Sequence, residues 1–249
     1  MSEKPMRPVA IVDYGMGNLF SVKQACGRVG LPTVVTNSVQ DIVAASAVIL
    51  PGVGSFGGAM EALTKLDLVA PLRDIAASET PMIGVCLGMQ LLMTESHEFG
   101  LHQGLAIIEG DVVRLKDATI DGRCLKVPQV GWNRIHAVPR VSAGRSGSAS
   151  GAPWESTLLA GVEDGEYMYF VHSFYCRVAD ASAVLSTTQY GATRFCSSLR
   201  YRNVFACQFH PERSGPQGLL LYKKLADLAG RYLREEHDGG EARSQVRLA

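Results

Sequence analysis

The sequence predicts an α/β protein built on a doubly wound, mostly parallel sheet, and three observations carry that prediction. Strand-like apolar runs alternate with helix-period segments through the first hundred residues, which implies parallel strands joined by crossover helices. The second half changes to strand after strand with turns between them, the pattern of antiparallel additions to the sheet. The chain has 249 residues, 47% hydrophobic and 19% charged, enough for one large core in an ordinary globular composition.

The elements follow in order. "PVAIVDYG" (8–15) reads as a buried strand. Residues 18–30 have helical spacing, with Asn18 as N-cap and Gly30 as the stop. "PTVVTN" (32–37) is a second strand, and a third, residues 47–52, runs into a glycine-rich loop, "PGVGSFGG" (51–58). Residues 59–78 are helical with a break expected near Pro71. "PMIGVC" (81–86) is the fourth strand, and a helix is expected from Gly88 to about Ser96. Beyond it, segments such as "GLAIIEGDVVRL", "KVPQVGWNRIHAV", "YMYFVHSFYCRV", "AVLSTTQYG", "TRFCSSLRYRN" and "VFACQFHPE" read as strands. Residues 215–236 form an amphipathic helix, with Leu221, Leu225, Leu228 and Tyr232 on one side and Leu220, Lys224, Asp227 and Arg231 on another. This organisation reads as one domain over 1–236, with a Ser/Gly/Ala-rich flexible loop at 141–153 and a polar, unstructured tail at 237–249.

The totals exclude several classes. A formal net charge of zero gives no bulk attraction to nucleic acid or to an acidic membrane. No apolar run reaches the roughly 18–20 residues of a membrane span, and the N-terminus lacks a signal-peptide pattern, so the expected location is the cytoplasm. Six cysteines occur, Cys26, Cys86, Cys124, Cys176, Cys196 and Cys207, with no C-x-x-C pair and no zinc spacing. Reduced thiols fit this better than disulfides, and all but Cys86 read as small core residues.

Cys86 differs because of its setting, Gly84-Val85-Cys86-Leu87-Gly88, between a strand and a helix. This is the pattern of a nucleophile elbow with cysteine at its apex. Glycine at both flanks removes side chains that would clash at a tight turn. A helix N-terminus favours the thiolate, the reactive form, and the Leu87 N–H is placed to donate to an oxyanion. A buried structural cysteine is the competing reading until a base is found. "QFHPE" offers one: His210 with Glu212 two residues on, able to meet the imidazole at Nδ1 and hold its tautomer. Of the other histidines only His172, in "YFVHSF", lies in a strongly apolar strand. It is a rival base without a nearby carboxylate in sequence. The 51–58 loop follows a strand and is placed to bring a second oxyanion donor to Cys86. It lacks the Lys-Ser/Thr ending of a P-loop, and "GMGNLF" fails the dinucleotide pattern at Phe20.

"GVCLGMQLL", "HPE" and "PGVGSFGGAM" together resemble the class I (triad) glutamine amidotransferases, whose fold is a flavodoxin-like doubly wound sheet with added antiparallel strands. "DYGMGNL", "KVPQVGWN" and "YFVHSF" are similar to the glutaminase subunits of imidazole glycerol phosphate synthases. The resemblance covers residues 8–234. It implies that Cys86, His210 and Glu212 form the triad. It implies an oxyanion hole from Leu87 and the Gly52–Val53 loop. By the same analogy Gln90 and Glu98 hold the polar groups of glutamine, and the backbone of Ser173–Phe174 its α-carboxylate end. Read without the family, Gln90 is a solvated helix residue and Glu98 a surface charge. The resemblance further implies a partner, a (β/α)8-barrel cyclase in a heterodimer, with Asn18, Tyr169 and Arg213 near the interface, and neither cofactor nor metal. Three places depart from the family pattern: Arg213 stands where lysine is usual, Gln129 where histidine is common, and 141–153 reads as an insertion. Other acceptors for the ammonia stay open, among them amidino sugars of surface polysaccharides. So do a free-standing hydrolase of γ-glutamyl bonds and a non-catalytic subunit that keeps the fold.

Overall fold

The first strand, β1 (Val9–Val12), alternates its side chains between two cores: Ala10 and Val12 pack into one, Val9 and Ile11 into the other. That alternation, apolar on both faces, is what a central strand of a doubly wound sheet requires. The computed structural model describes residues 7–116, 119–120, 123–139 and 154–246. The expected 141–153 loop therefore lies outside the described residues.

Helix α1 (Leu19–Arg28) starts at Asn18, whose side chain accepts from the Ser21 N–H at 3.4 Å, and it ends before Gly30 at φ 71°. β2 (Thr33–Thr36) is followed by α2 (Val39–Ala44), a short helix capped by Ser38 that periodicity alone did not single out. β3 (Val48–Leu50) leads through the glycine loop to α3 (Phe56–Lys65) and α4 (Val69–Ala77). The loop is shorter than expected, since Gly57 and Gly58 are already helical. The break between these helices falls at Leu66–Leu68, where Asp67 has φ 55°, and not at Pro71. Pro71 sits in the first turn of α4, where an absent N–H leaves no helical bond unmade.

β4 (Met82–Val85) precedes α5 (Leu87–Leu91), only five residues long. The helix expected to run to Ser96 is cut short because β5 (Met93–Ser96) joins a second sheet, a case of pairing overriding local pattern. The chain continues through β6 (His102–Gln103), β7 (Ile108–Arg114), β8 (Thr119–Ile120), β9 (Arg123–Cys124), β10 (Gln129–Arg134) and β11 (His136–Ala137). The run "YMYFVHSFYCRV" is two strands, β12 (Tyr167–His172) and β13 (Phe174–Val178), parted at Ser173 where the chain changes sheet. β14 (Val184–Tyr190), β15 (Thr193–Tyr201) and β16 (Val204–Cys207) follow, then α6 (Gly215–Val246). α6 buries Leu221, Tyr222, Leu225 and Ala229. It continues to Val246, so the tail expected from 237 is helical as far as that residue. Glu241, Ala242, Arg243 and Gln245 favour propagation of a helix already nucleated upstream.

The main sheet has the order β11-β14-β15-β16-β4-β3-β1-β2. The strands from β16 to β2 are parallel, while β15, β14 and β11 extend the sheet antiparallel, as expected. The remaining strands do not join it: β13-β7-β5-β6 form a separate sheet, β10-β12 a two-stranded ribbon and β8-β9 a second short pair. The carboxyl ends of β16, β4, β3 and β1 lie side by side, the place where an open α/β sheet builds its site.

Candidate active site

Cys86 follows β4 with φ 53° and ψ −108°, a conformation a non-glycine residue holds only under constraint. Its N–H donates to the Cys207 carbonyl at 2.8 Å, tying the elbow to β16, and its carbonyl accepts from Met89 N–H at 3.0 Å. The flanking glycines make this possible by close approach. A Cβ on Gly88 would lie 1.8 Å from the Leu50 carbonyl oxygen, and one on Gly84 would lie 3.0 Å from the Gly88 backbone. The strain is carried by Cys86, and the glycines let α5 settle onto the ends of β3 and β4. Gly88→Ala is expected to lower stability by about 3 kcal/mol or more, since the clash is with backbone that cannot rotate away. A thermal melt reads it; an unchanged melting temperature would show that the β3 end yields.

His210 and Glu212 meet as the sequence suggested, Nδ1 to Oε1 at 2.8 Å with both side chains buried. The path differs from an extended i, i+2 pair, because Pro211–Arg213 is a 3₁₀ turn that swings Glu212 back beneath the ring. The segment is pinned by His210 N–H on the Tyr169 carbonyl at 2.9 Å and by the Ser214 hydroxyl on the His210 carbonyl at 2.7 Å. Burial acts to lower the His210 pKa. The negative charge of Cys86, a hydrogen bond to it and Glu212 outweigh burial, so the imidazole is pushed up to about 10. With Nδ1 on Glu212, the interaction with Cys86 falls to Nε2, which has no partner of ordinary hydrogen-bond geometry. Such loose contacts are usual in a site without substrate. The arrangement favours a protonated imidazole beside the Cys86 sulfur.

A cavity of about 250 Å³ opens over the sulfur, and Val53, Leu87, Gln90, Glu98, Ser173 and Phe174 line it together with Cys86. Gly52 does not line it. Gly52 lies behind, where a Cβ would come 2.3 Å from the Tyr14 hydroxyl and 2.9 Å from Leu87 Cβ. Tyr14 is buried and donates to the Pro51 carbonyl at 2.7 Å, clamping the loop from the β1 side. Glu98 is half-buried, and its Oε2 accepts from the Phe56 N–H at the start of α3. It is thus neither a free surface charge nor wholly available to a ligand. Gln90 is buried, with its amide nitrogen on the Phe174 carbonyl at 2.9 Å and on Gln208 Oε1 at 3.1 Å. Only its oxygen remains for a ligand. A larger cavity, about 360 Å³, opens beside the starts of β4 and β16, at the other end of the sheet from Cys86. Among the described residues no group of three His, Cys, Asp or Glu is placed to hold a metal ion.

The sequence matches the family described as glutamine amidotransferase class-I over residues 10–226. The chain belongs to the class I glutamine amidotransferases. The HisH subunit of imidazole glycerol phosphate synthase from Moorella thermoacetica is 42% identical over 90% of this chain and 96% of its own length. Its counterpart from Syntrophotalea carbinolica is 43% identical over 88% of this chain and all of its own. A solved glutamine amidotransferase superposes with a TM-score of 0.63 at 17% identity, covering 89% of this chain and 98% of that one. At that identity the likeness speaks for the fold alone. These relatives place the chain among the HisH-type members of this amidotransferase family.

Within this class I amidotransferase, the three residues expected near a partner are arranged as follows. Asn18 caps α1. Arg213 lies over the Tyr169 ring with its guanidinium 5.0 Å from the centroid. A planar guanidinium stacks where an ammonium is a point charge, so arginine in place of the usual lysine adds a ring contact here. Tyr169 also meets Trp132 edge to face at 6.0 Å, and Trp132 is 54% exposed. Sequence reading passed over Trp132; its strand alternation, exposed against buried Gln129, was the available signal. The rival base, His172, is buried and pushed down to about 4 by burial, with the charge on His210 adding to it. The partner at its Nδ1 is the Phe174 carbonyl at 2.8 Å, not a carboxylate. Also passed over was Gln208, fully buried, whose amide nitrogen lies 3.6 Å from the Cys86 sulfur. Across the described residues no helix is long and apolar enough to cross a membrane.

Proposed function

We propose that this chain is the glutaminase subunit of an imidazole glycerol phosphate synthase, with Cys86, His210 and Glu212 as its triad. The observation that carries the reading is a strained cysteine at the floor of a cavity, coupled to a buried His–Glu pair, in a chain over 40% identical to HisH subunits. Cys86 Sγ attacks the side-chain carbonyl carbon of glutamine. The developing oxyanion is held by the Leu87 N–H and by the loop at Gly52–Val53. The proton taken by His210 Nε2 passes to the leaving nitrogen, and ammonia departs. Water, deprotonated by the same imidazole, then attacks the thioester, and glutamate leaves. Gln90, Glu98 and the Ser173–Phe174 backbone orient the amino-acid end of the substrate.

The ammonia acceptor is bound by a partner, a (β/α)8-barrel cyclase. It joins ammonia to a phosphoribulosyl-formimino aminoimidazole carboxamide nucleotide, giving imidazole glycerol phosphate and AICAR. The β10–β12 ribbon supports this docking side. Trp132 pairs with Tyr169 and Val130 with Val171 across it, and Val171 also lines the cavity. An exposed aromatic face therefore borders the cavity wall. Trp132→Ala is expected to weaken the complex at least about tenfold, read by calorimetric titration of the cyclase; unchanged affinity would move the interface elsewhere.

The test of the reading is glutamate release from glutamine, measured for the chain alone and with the cyclase from the same genome. Slow release alone that rises strongly with the cyclase and its nucleotide is the expected result. Full activity alone would point to a free-standing hydrolase, and stimulation only by another barrel protein to the surface-sugar pathway.

A further inference from the structure

The Cys86 sulfur sits between two polar groups that favour opposite protonation states. The Val171 carbonyl, 3.8 Å away, accepts from a thiol. The Gln208 amide nitrogen, 3.6 Å away, donates to a thiolate. We propose that Gln208 is a catalytic residue of this site, its side-chain N–H bonded to the sulfur so as to hold Cys86 as the thiolate.

The orientation of the Gln208 amide follows from one backbone atom. The Phe174 carbonyl can only accept, so the end of Gln90 that meets it at 2.9 Å is the NH2 group. The same NH2 reaches the end of Gln208 at 3.1 Å, which must then be oxygen. The other end of Gln208, facing the sulfur, is therefore nitrogen. A flip of Gln90 would put its oxygen against the Phe174 carbonyl, and a flip of Gln208 would put its NH2 against the Gln90 NH2, either one an unpaired clash in a buried site. Phe174 is held by β13 pairing with β7, and its carbonyl also accepts from His172 Nδ1 at 2.8 Å. Gln208 itself is fixed by its N–H on the Ser197 carbonyl at 2.9 Å. The donor is thus set by the fold before substrate arrives. In a buried site a hydrogen bond to an ion is worth more than one to a neutral group. Gln208 and His210, two residues apart, act on the sulfur together: the thiol proton moves to His210 Nε2 and the charge left behind is met by Gln208. The other titratable groups coupled to the sulfur are Tyr14, Cys176 and Cys207, each held in its neutral form chiefly by burial, with the charge on Cys86 adding to it. Gln90 has a second duty here, as the positioning residue for this donor.

The inference rests on Cys86 being the nucleophile, and the experiment separates the two. Iodoacetamide alkylation of Cys86 in the full chain, located by mass spectrometry, is followed against pH for the wild type, Gln208→Met and Gln208→Glu. Alkylation reads the thiol whether or not glutamine is turned over. Loss of the donor in Gln208→Met is expected to move the alkylation profile up by about one unit, a slowing of about tenfold at pH values on its rising limb. Gln208→Glu, which sets a carboxylate against the sulfur, moves it further. The kcat for glutamine falls with it while KM changes little. A Gln208→Met profile that superimposes on the wild type, in a variant with native circular dichroism, overturns the proposal. Should Gln208→Met fail to fold, ¹⁵N spectra of the wild type decide it. A protected side-chain amide pair that shifts in step with Cys86 ionisation supports the donor, and the absence of any such pair overturns it. A wrong nucleophile would show instead in Cys86→Ala that still turns glutamine over.

Discussion

Cys86→Ala abolishes glutamine-dependent synthesis in the reconstituted synthase and leaves synthesis from ammonium salts intact. The expected loss with glutamine is at least about four orders of magnitude, the scale seen when a covalent nucleophile is removed. The fold should survive the change. Cys86 occupies φ 53°, and alanine has to adopt the same strained angle but brings no additional bulk. The elbow is held by backbone bonds, Cys86 N–H to Cys207 and Met89 N–H to Cys86, which the substitution keeps. What disappears is the sulfur, together with its contacts to Val171 and Gln208. In the proposed complex the partner binds its own nucleotide and accepts free ammonia, so that half of the reaction has no use for the thiol. Product formation with glutamine and with ammonium chloride, compared at equal complex concentration, reads both. Loss of both activities would mean that Cys86 serves assembly, and loss of neither would remove it from the mechanism.

Glu212→Gln comes next in size, with kcat expected to fall by about 10²- to 10⁴-fold and KM to stay within a few-fold. Glu212 does not line the cavity, so it has no direct hold on substrate. Its work is done on His210, through the 2.8 Å contact at Nδ1. An uncharged amide in its place keeps the shape and removes the negative charge that helps hold the imidazole protonated against the pull of burial. The imidazole then holds its proton less well, and in the proposed mechanism the leaving nitrogen loses its proton donor. If the amide presents nitrogen to Nδ1, the wrong tautomer adds to the loss. Steady-state kinetics decide it: an increase in KM with kcat unchanged would make Glu212 a substrate-binding group.

The parallel half of the fold and the position of the cysteine were open to reading because they rest on local rules. An apolar run that turns at a glycine loop into a helix is encoded within about a dozen residues, and Asn18 and Gly30 punctuate α1 by their own backbone chemistry. The pairing of His210 with Glu212 is likewise local, although the 3₁₀ turn that achieves it was not foreseen. Boundaries failed where a remote partner prevailed. "MTES" has the spacing to continue α5 and is drawn instead into a sheet by β7. The break assigned to Pro71 sits at Asp67, since a proline in a first turn breaks nothing. Gln90 and Glu98 looked like solvated side chains because burial cannot be judged from a helix face whose covering is unknown.

The sequence by itself thus determined that this is a doubly wound α/β chain with a cysteine elbow, a His–Glu pair and a glycine loop, because each depends on neighbours a few residues away. The tertiary structure alone decided what surrounds the sulfur. Sheet order brings the ends of β16, β4, β3 and β1 together, so Gln208, Cys86, Val53 and Tyr14 become neighbours across 194 residues of chain. The polarity of the Gln208 donor depends on a carbonyl 34 residues away, at Phe174. Hydrogen-bond direction passes through space from one fixed acceptor, and no spacing along the chain records it.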